Sequence, residues 1–293
     1  MTVSEIREGA MADSVVRPEL LREQLDDPHL AVIEVHASAA ARDQVEGLIP
    51  GSRPVFWKDL AWHPTDRLLA GGEEISRRLF ALGAGEGSRI VLAGDPTQFA
   101  SYVVWAARVR GYHGIGYLDG GLEAWRALGL PTSAERQVAR QPPTRPLAVP
   151  TAAARDTGQL IGRDELRGLL GEPGVAIVDF RSPEEYAGER VSGLNAPIDH
   201  GAERHGRIPG ARHLFFRELL DETGRILPAE QARKVAEARG VFEAERVVVY
   251  CRLSHRSTLG WLTLTEVLGL DNVRVYDGSW TEWGSIVGFP VEK

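Results

Sequence analysis

The one cysteine of the chain, Cys251, begins a short polar segment that could do chemistry. It follows the apolar run 247–250 and opens the sequence Cys251-Arg252-Leu253-Ser254-His255-Arg256. Backbone N–H groups in a tight loop, together with those at the start of a helix, bind anions. The two arginines add positive charge on both sides of the loop. We therefore predict that the loop stabilises the ionised form of Cys251 and that this sulfur is a nucleophile.

Composition excludes several classes of protein. A single cysteine rules out an intrachain disulfide and a thiolate metal cluster within the chain. The chemistry predicted for Cys251 implies neither a metal nor an organic cofactor. The net charge of −7 argues against nucleic acid and anionic membranes as partners. No segment has the roughly 20 apolar residues of a membrane span. Residues 1–16 are charged and lack the apolar core of a signal peptide, so we expect a cytoplasmic protein, with its thiol reduced.

Strand and helix patterns alternate around the cysteine. The continuous apolar runs 175–178 and 246–250 predict parallel strands buried on both faces. Residues 228–239 predict a helix ended by Gly240, and apolar residues recurring from Trp261 to Leu268 predict another ended by Gly269. This alternation indicates an α/β fold with a mainly parallel sheet, whose ligands bind at the carboxyl ends of the strands. Cys251 would lie at that edge.

The chain repeats one pattern twice. Ile49-Pro50-Gly51 in the first half corresponds to Ile208-Pro209-Gly210 in the second, and three further motifs recur in the same order at offsets of 157 to 159 positions. A proline-rich stretch separates the copies. We predict a first domain over 1–140, a linker over 141–153 and a second domain over 154–293. Gly94 occupies the position of Cys251 in the first copy, so that copy lacks the nucleophile.

These motifs resemble the two-domain (tandem) rhodanese family. The resemblance extends from about Val15 to Val291 and rests on 178–186, Ile208-Pro209-Gly210-Ala211, the Cys251 loop and the stretch 276–284. It implies two tandem rhodanese-like domains, each a mainly parallel sheet flanked by helices. It also implies that the cysteine of the second domain takes a sulfane sulfur. The loop departs from the common Cys-Arg-x-Gly pattern because Ser254 replaces the glycine.

The candidate site comprises the nucleophile and seven substrate-binding residues. Besides Cys251 these are Arg252, Leu253, Ser254, His255, Arg256, Arg181 and Arg190. The resemblance implies that arginines in the region of Arg181 and Arg190 hold the anionic donor. The alternative is that they form surface ion pairs with nearby glutamates.

The predicted function is transfer of a sulfane sulfur from thiosulfate to cyanide or a thiol, including a protein thiol, through a Cys251 persulfide. Three alternatives remain open. The donor could be 3-mercaptopyruvate, or the chain could be a non-enzymatic sulfur carrier. A cysteine phosphatase or arsenate reductase fits less well, because phosphatases use a longer Cys-x5-Arg loop to surround phosphate.

Overall fold

The computed structural model describes residues 14–134, 143–151, 157–193 and 198–293. The chain forms two compact units, Met1–Thr157 with Glu222–Arg225, and Gly158–Asp221 with Ile226–Lys293. The predicted domain boundaries at 140 and 154 and the ends of the predicted linker lie within 135–142 and 152–156, outside the described residues, so they stay predictions. Residues 1–13 of the predicted charged N-terminal segment are also outside them.

The first unit contains a five-stranded parallel sheet in the order β1-β5-β4-β2-β3. Its strands are β1 Val15–Val16, β2 Leu30–His36, β3 Arg53–Phe56, β4 Arg89–Asp95 and β5 Ile115–Leu118. Its helices are α1 Pro18–Glu23, α2 Ala39–Gln44, α3 Trp57–Ala61, α4 Gly72–Ala81, α5 Gln98–Val109 and α6 Gly121–Ala127.

The second unit contains a four-stranded parallel sheet in the order β7-β6-β8-β9. Its strands are β6 Val175–Asp179, β7 Arg212–His213, β8 Arg246–Tyr250 and β9 Val273–Val275. Its helices are α7 Arg163–Gly168, α8 Pro183–Ala187, α9 Ala229–Glu237, α10 His255–Leu262 and α11 Ser279–Trp283. Short 3-10 turns lie at Thr157–Gln159 and Phe216–Leu219, and a π-helical turn, Thr263–Val267, continues α10.

The sheet of the second unit confirms the predicted parallel architecture. The apolar runs at 175–178 and 246–250 form the central strands β6 and β8, which are buried along nearly their whole length. Asp179 at the end of β6 aligns with His213 at the end of β7 and with Tyr250 at the end of β8. The carboxyl ends of these strands therefore meet at one edge, and Cys251 follows directly.

Helix α10 approaches the end of β6 more closely than a side chain would allow. A Cβ atom added to Gly260 would lie 2.2 Å from the ring of Phe180, the residue after β6. Phe180 is fully buried. Since real Cβ atoms do not approach other atoms so closely, Gly260 lets α10 pack directly on this ring. This contact fixes the helix that follows the cysteine loop.

We predict that Gly260→Ala destabilises the protein. Overpacking against the buried Phe180 ring should cost about 1–3 kcal/mol, which exceeds the gain in helix propensity of up to about 1 kcal/mol. The melting temperature should fall by roughly 2–8 °C, measured by differential scanning calorimetry. Gly168→Ala is the matched control, because Gly168 is also helical but has no atom within 4 Å of an added Cβ. Equal melting curves for the two variants would contradict the prediction.

Candidate functional site

Cys251 is fixed by its backbone to the segment that begins α11. It follows β8, and its side chain is only 1% exposed. The N–H group of Cys251 donates to Ser279 Oγ at 3.2 Å, and its carbonyl accepts from the N–H group of Trp280 at 3.0 Å. These bonds tie the nucleophile to the motif 276–284 that the sequence singled out. The sulfur therefore has a defined position at the sheet edge.

The turn after Cys251 reverses at Ser254. Its φ of +66° lies in the left-handed region, where a non-glycine residue is strained. The Ser254 hydroxyl lies 2.9 Å from the carbonyl oxygen of Asp277 and 3.0 Å from Ser279 Oγ. These hydrogen bonds offset the strain, which explains how serine occupies a position where related loops commonly have glycine. The turn is held rigidly as a result.

The turn leaves several backbone N–H groups without an acceptor. Within the described part of the chain, the N–H groups of Arg252, Leu253 and Ser254 make no hydrogen bond. Successive unpaired N–H groups of this kind form a concave site for an anion. These N–H groups directly follow Cys251 in the chain and are available to an anion.

Arg256 forms a bidentate ion pair with a carboxylate, Glu185 of α8. Its terminal nitrogens donate to the two carboxylate oxygens at 2.6 and 2.9 Å. The Glu185 side chain is fully buried and also accepts from the N–H group of Ser182 at 3.1 Å. Burial would lower the pKa of Arg256, but the hydrogen bonds and charge of Glu185 raise it. Burial would raise the pKa of Glu185, but the hydrogen bonds and charge of Arg256 lower it. The positive charge of Arg256 is thus largely neutralised.

Arg252 is in a different state. No carboxylate of the described residues forms an ion pair with it, and its buried Nε atom has no hydrogen-bond partner there. Its pKa is lowered by burial and by the neighbouring charge of Arg256, with Glu185, Cys251 and Asp199 acting in the opposite direction. Arg252 is therefore a cation of the loop whose charge remains available to a ligand.

Arg181 lies inside the protein rather than at an open surface. It is fully buried and donates to the Asp179 carboxylate, with the shortest distance 2.6 Å, and to the carbonyl of Gly206 at 2.8 Å. Its guanidinium lies 4.6 Å from the ring centroid of Trp280. Burial would lower the pKa of Arg181, but Asp179 raises it. Its other terminal nitrogen, Nη1, is buried and has no hydrogen-bond partner among the described residues, so contact between Arg181 and a donor stays a prediction.

The remaining predicted residues have less specific surroundings. Arg190 Nε donates to the carbonyl of Ser192 at 3.2 Å and lies 3.9 Å from an Asp199 oxygen, and the charge of Arg190 contributes to lowering the pKa of Glu184, one of the expected glutamates. Leu253 is half-buried, and His255 is mostly buried as the first residue of α10. Both residues therefore lie in the turn and helix start that follow Cys251.

Sequence reasoning did not select Glu185 or Ser279 as site residues. The spacing from Ser182 to Glu185 is that of a capping box, and the structure contains this box at the start of α8. That spacing could have placed the Glu185 carboxylate at the amino end of a helix following β6. Ser279 offered no comparable signal, since its contact with Cys251 spans 28 positions of sequence.

The first unit has no room for a nucleophile at the corresponding place. A Cβ atom added to Gly94 would lie 2.4 Å from the carbonyl oxygen of Thr97 and 2.8 Å from that of Pro96. The turn after β4 thus closes over Gly94, and a cysteine there would clash with backbone. This agrees with the absence of a thiol from the first copy.

The described residues contain no group of three or more histidine, cysteine, aspartate or glutamate side chains arranged to hold a metal ion. None of the helices described is long and apolar enough to cross a membrane.

Similar proteins come from bacteria, archaea and yeast. The chain is 34% identical over 288 residues to the "Sulfur carrier protein TtuD" of Thermus thermophilus, covering 97% of this chain and 98% of that protein. It is 33% identical over 273 residues to a Haloferax volcanii protein named "Putative thiosulfate sulfurtransferase", covering 92% and 91%. Among solved structures, Tum1 from Saccharomyces cerevisiae gives a TM-score of 0.74 at 19% identity, covering 95% of this chain and 98% of that one. This last likeness concerns the fold.

A family model supplies the remaining comparison. The model for the rhodanese-like domain matches twice, at residues 17–128 and 162–286, which together span most of the chain. The two matches coincide with the two sheets and confirm the tandem architecture predicted from the repeated motifs. With its fold, its repeated domain and its cysteine loop, the chain belongs to the rhodanese-like family.

Proposed function

We propose that the protein is a sulfurtransferase that carries a sulfane sulfur on Cys251 as a persulfide. One observation carries the proposal: Cys251 opens a turn whose N–H groups lack acceptors, next to an arginine without a carboxylate partner. The name of the Haloferax volcanii relative supports thiosulfate as the donor. The acceptor is cyanide or a thiol, including a protein thiol.

The reaction is a double displacement. The Cys251 thiolate attacks the outer sulfur of thiosulfate, a new S–S bond forms, and the S–S bond of thiosulfate breaks to release sulfite with its electron pair. The loop N–H groups and Arg252 stabilise negative charge on the donor and on the persulfide anion. An acceptor nucleophile such as cyanide then attacks the terminal sulfur, which leaves as thiocyanate and restores the Cys251 thiolate.

A second candidate is a non-enzymatic sulfur carrier, which would serve protein acceptors and not turn over small ones. The name of the Thermus thermophilus relative favours a carrier that passes sulfur to a protein thiol. Both functions use the same Cys251 persulfide. The two functions can be distinguished by comparing sulfur transfer to a small thiol such as dithiothreitol with transfer to protein thiols.

The persulfide can be detected by mass spectrometry of the intact protein. Thiosulfate should add about 32 Da, one sulfur atom for one nucleophile, and cyanide should remove it. Cys251→Ala should show neither change. An unchanged mass with thiosulfate, but a gain with 3-mercaptopyruvate, would replace the donor and keep the persulfide.

We predict no Cys251-dependent hydrolysis of aryl phosphates at enzyme concentrations that turn over thiosulfate. The loop is one residue shorter than Cys-x5-Arg, and the structure adds a second obstacle: both terminal nitrogens of Arg256 are bound to Glu185 rather than free for phosphate. Release of p-nitrophenol from its phosphate ester is the measurement. Turnover that disappears in Cys251→Ala would refute the proposed function.

Substitution of the two loop arginines, Arg252 and Arg256, should have different effects. Arg252→Ala removes a charge-assisted contact with the donor, worth roughly 1.5–3 kcal/mol, so kcat/KM for thiosulfate should fall about tenfold to a hundredfold with little change in melting temperature. Arg256→Ala leaves the buried Glu185 carboxylate uncompensated and should cost about 3–5 kcal/mol of stability.

Steady-state kinetics and thermal melts of both variants check this division. Arg256→Ala combined with Glu185→Gln serves as a control, because removing the stranded charge should recover part of the lost stability. The division is wrong if Arg252→Ala lowers the melting temperature as much as Arg256→Ala does.

A further inference from the structure

The guanidinium of Arg252 lies directly against a glycine of a different loop. A Cβ atom added to Gly201 would be 2.5 Å from both Nε and Nη2 of Arg252 and 2.9 Å from its Cζ. The φ of Gly201 is +119°, a conformation that other residues rarely adopt. The charged end of Arg252 thus occupies the space that any other residue at position 201 would fill.

The backbone before Gly201 is anchored by Asp199. Its carboxylate accepts from the N–H groups of Val191 and Ser192 at 3.0 and 2.9 Å and from the Ser192 hydroxyl at 2.9 Å. Burial would raise the pKa of Asp199, but these hydrogen bonds lower it. The carboxylate is thus held ionised, and it fixes the chain on this side of Gly201.

The backbone after Gly201 is anchored by Arg204. Its guanidinium donates to four carbonyl oxygens at and beyond the end of α11, those of Trp283, Gly284, Ile286 and Phe289. The carbonyl of Arg204 accepts from Trp280 Nε1 at 3.0 Å. With both sides of the loop held, a side chain at position 201 would displace the flexible end of Arg252 rather than the loop.

The position of this guanidinium matters because of how the other arginines are used. Arg256 is paired with Glu185, and Arg181 is buried against Asp179. Of the three, Arg252 alone has no carboxylate within ion-pair distance in the described part of the chain. A shift of its charged end would change the electrostatic field at the sulfur, since Coulomb interactions vary with distance.

We propose that Gly201 is a positioning residue: its missing side chain seats the Arg252 guanidinium beside Cys251 and so favours anionic reactants at the sulfur. The consequence for sulfur donors rests on the proposed function. The consequence for charge at Cys251 does not, and it can be measured without any donor.

The test compares two alkylating reagents on the full-length protein. Iodoacetate is an anion and iodoacetamide is neutral, so the ratio of their rates with Cys251 reports the positive field at the sulfur. Gly201→Ala should lower this ratio roughly five- to tenfold, because it displaces the guanidinium. A general loosening of the fold would alter both rates together and leave the ratio unchanged.

Two controls separate the contact from backbone strain. Gly210→Ala also places alanine at a positive φ, of +73°, but no atom lies within 4 Å of the added Cβ, so its ratio should match the original protein. In an Arg252→Ala background, Gly201→Ala should cause no further change in the ratio, because the group it displaces is absent. An equal effect in both backgrounds, or an effect in Gly210→Ala, overturns the proposal.

A further variant keeps the test decisive if Gly201→Ala does not fold. Arg252→Lys retains the charge but lacks the planar group that lies against Gly201, so it should lower the ratio toward that of Arg252→Ala. A ratio equal to that of the original protein would show that charge alone suffices, and the proposal would fail.

The donor assay completes the experiment. Gly201→Ala should raise KM for thiosulfate about five- to tenfold with kcat little changed, as expected for a loss of donor binding. If the original protein takes no sulfur from any donor, the proposed function fails, while the alkylation ratios still decide the role of Gly201. If sulfur transfer occurs but the ratios do not respond, the role of Gly201 fails alone.

Discussion

The bidentate pair between Arg256 and Glu185 links the two segments that form the site. It joins α10, which follows the cysteine turn, to α8, which follows β6, across 71 positions of sequence. A buried pair of this kind is costly to break because the remaining charge cannot be hydrated. It therefore holds the turn in place more effectively than a surface pair would. It also neutralises much of the charge of Arg256, whereas Arg252 has no carboxylate partner among the described residues, so one interaction sets both the shape and the charge of the site.

Parallel pairing explains why distant residues meet there. The register aligns Asp179 with Tyr250, and the Tyr250 hydroxyl donates to the Asp179 carboxylate at 2.7 Å. The same hydroxyl accepts from the N–H group of Ile208 at 3.2 Å. Burial, with a further contribution from Asp179, raises the pKa of Tyr250 well above its ordinary value, so the hydroxyl stays protonated and continues to donate. These hydrogen bonds form a buried polar network at the end of β8, directly before the cysteine turn.

Local sequence patterns were sufficient to predict many of the strands and helices. They were not sufficient to predict which distant side chains pair. Sequence predicted the features that depend on neighbouring residues, which are the strands at 175–178 and 246–250 and the helix ended by Gly240. It also predicted the duplication, because the two halves share motifs. The partner of Arg256 was not predictable, because the capping-box spacing places Glu185 on its own helix but does not indicate which cation it meets 71 positions away. The ion pair of Arg181 was not predictable from spacing either, because an arginine that follows a strand can lie at the surface or, as here, bind an interior aspartate two positions earlier.

The duplicated sheets show which part of the site is architectural. Glu34 occupies in the first unit the register position of Asp179. His36 follows Glu34 by two positions, as Arg181 follows Asp179, and its Nε2 atom lies 3.6 Å from a carboxylate oxygen of Glu34. Glu34 accepts directly from the N–H group of Ile49, the counterpart of Ile208, whereas Asp179 reaches Ile208 through the Tyr250 hydroxyl. Both units therefore keep a buried acid that ties the isoleucine-proline-glycine segment to the central strand. That acid stabilises a fold common to both copies, whereas the thiol is found only in the copy whose turn has space for it.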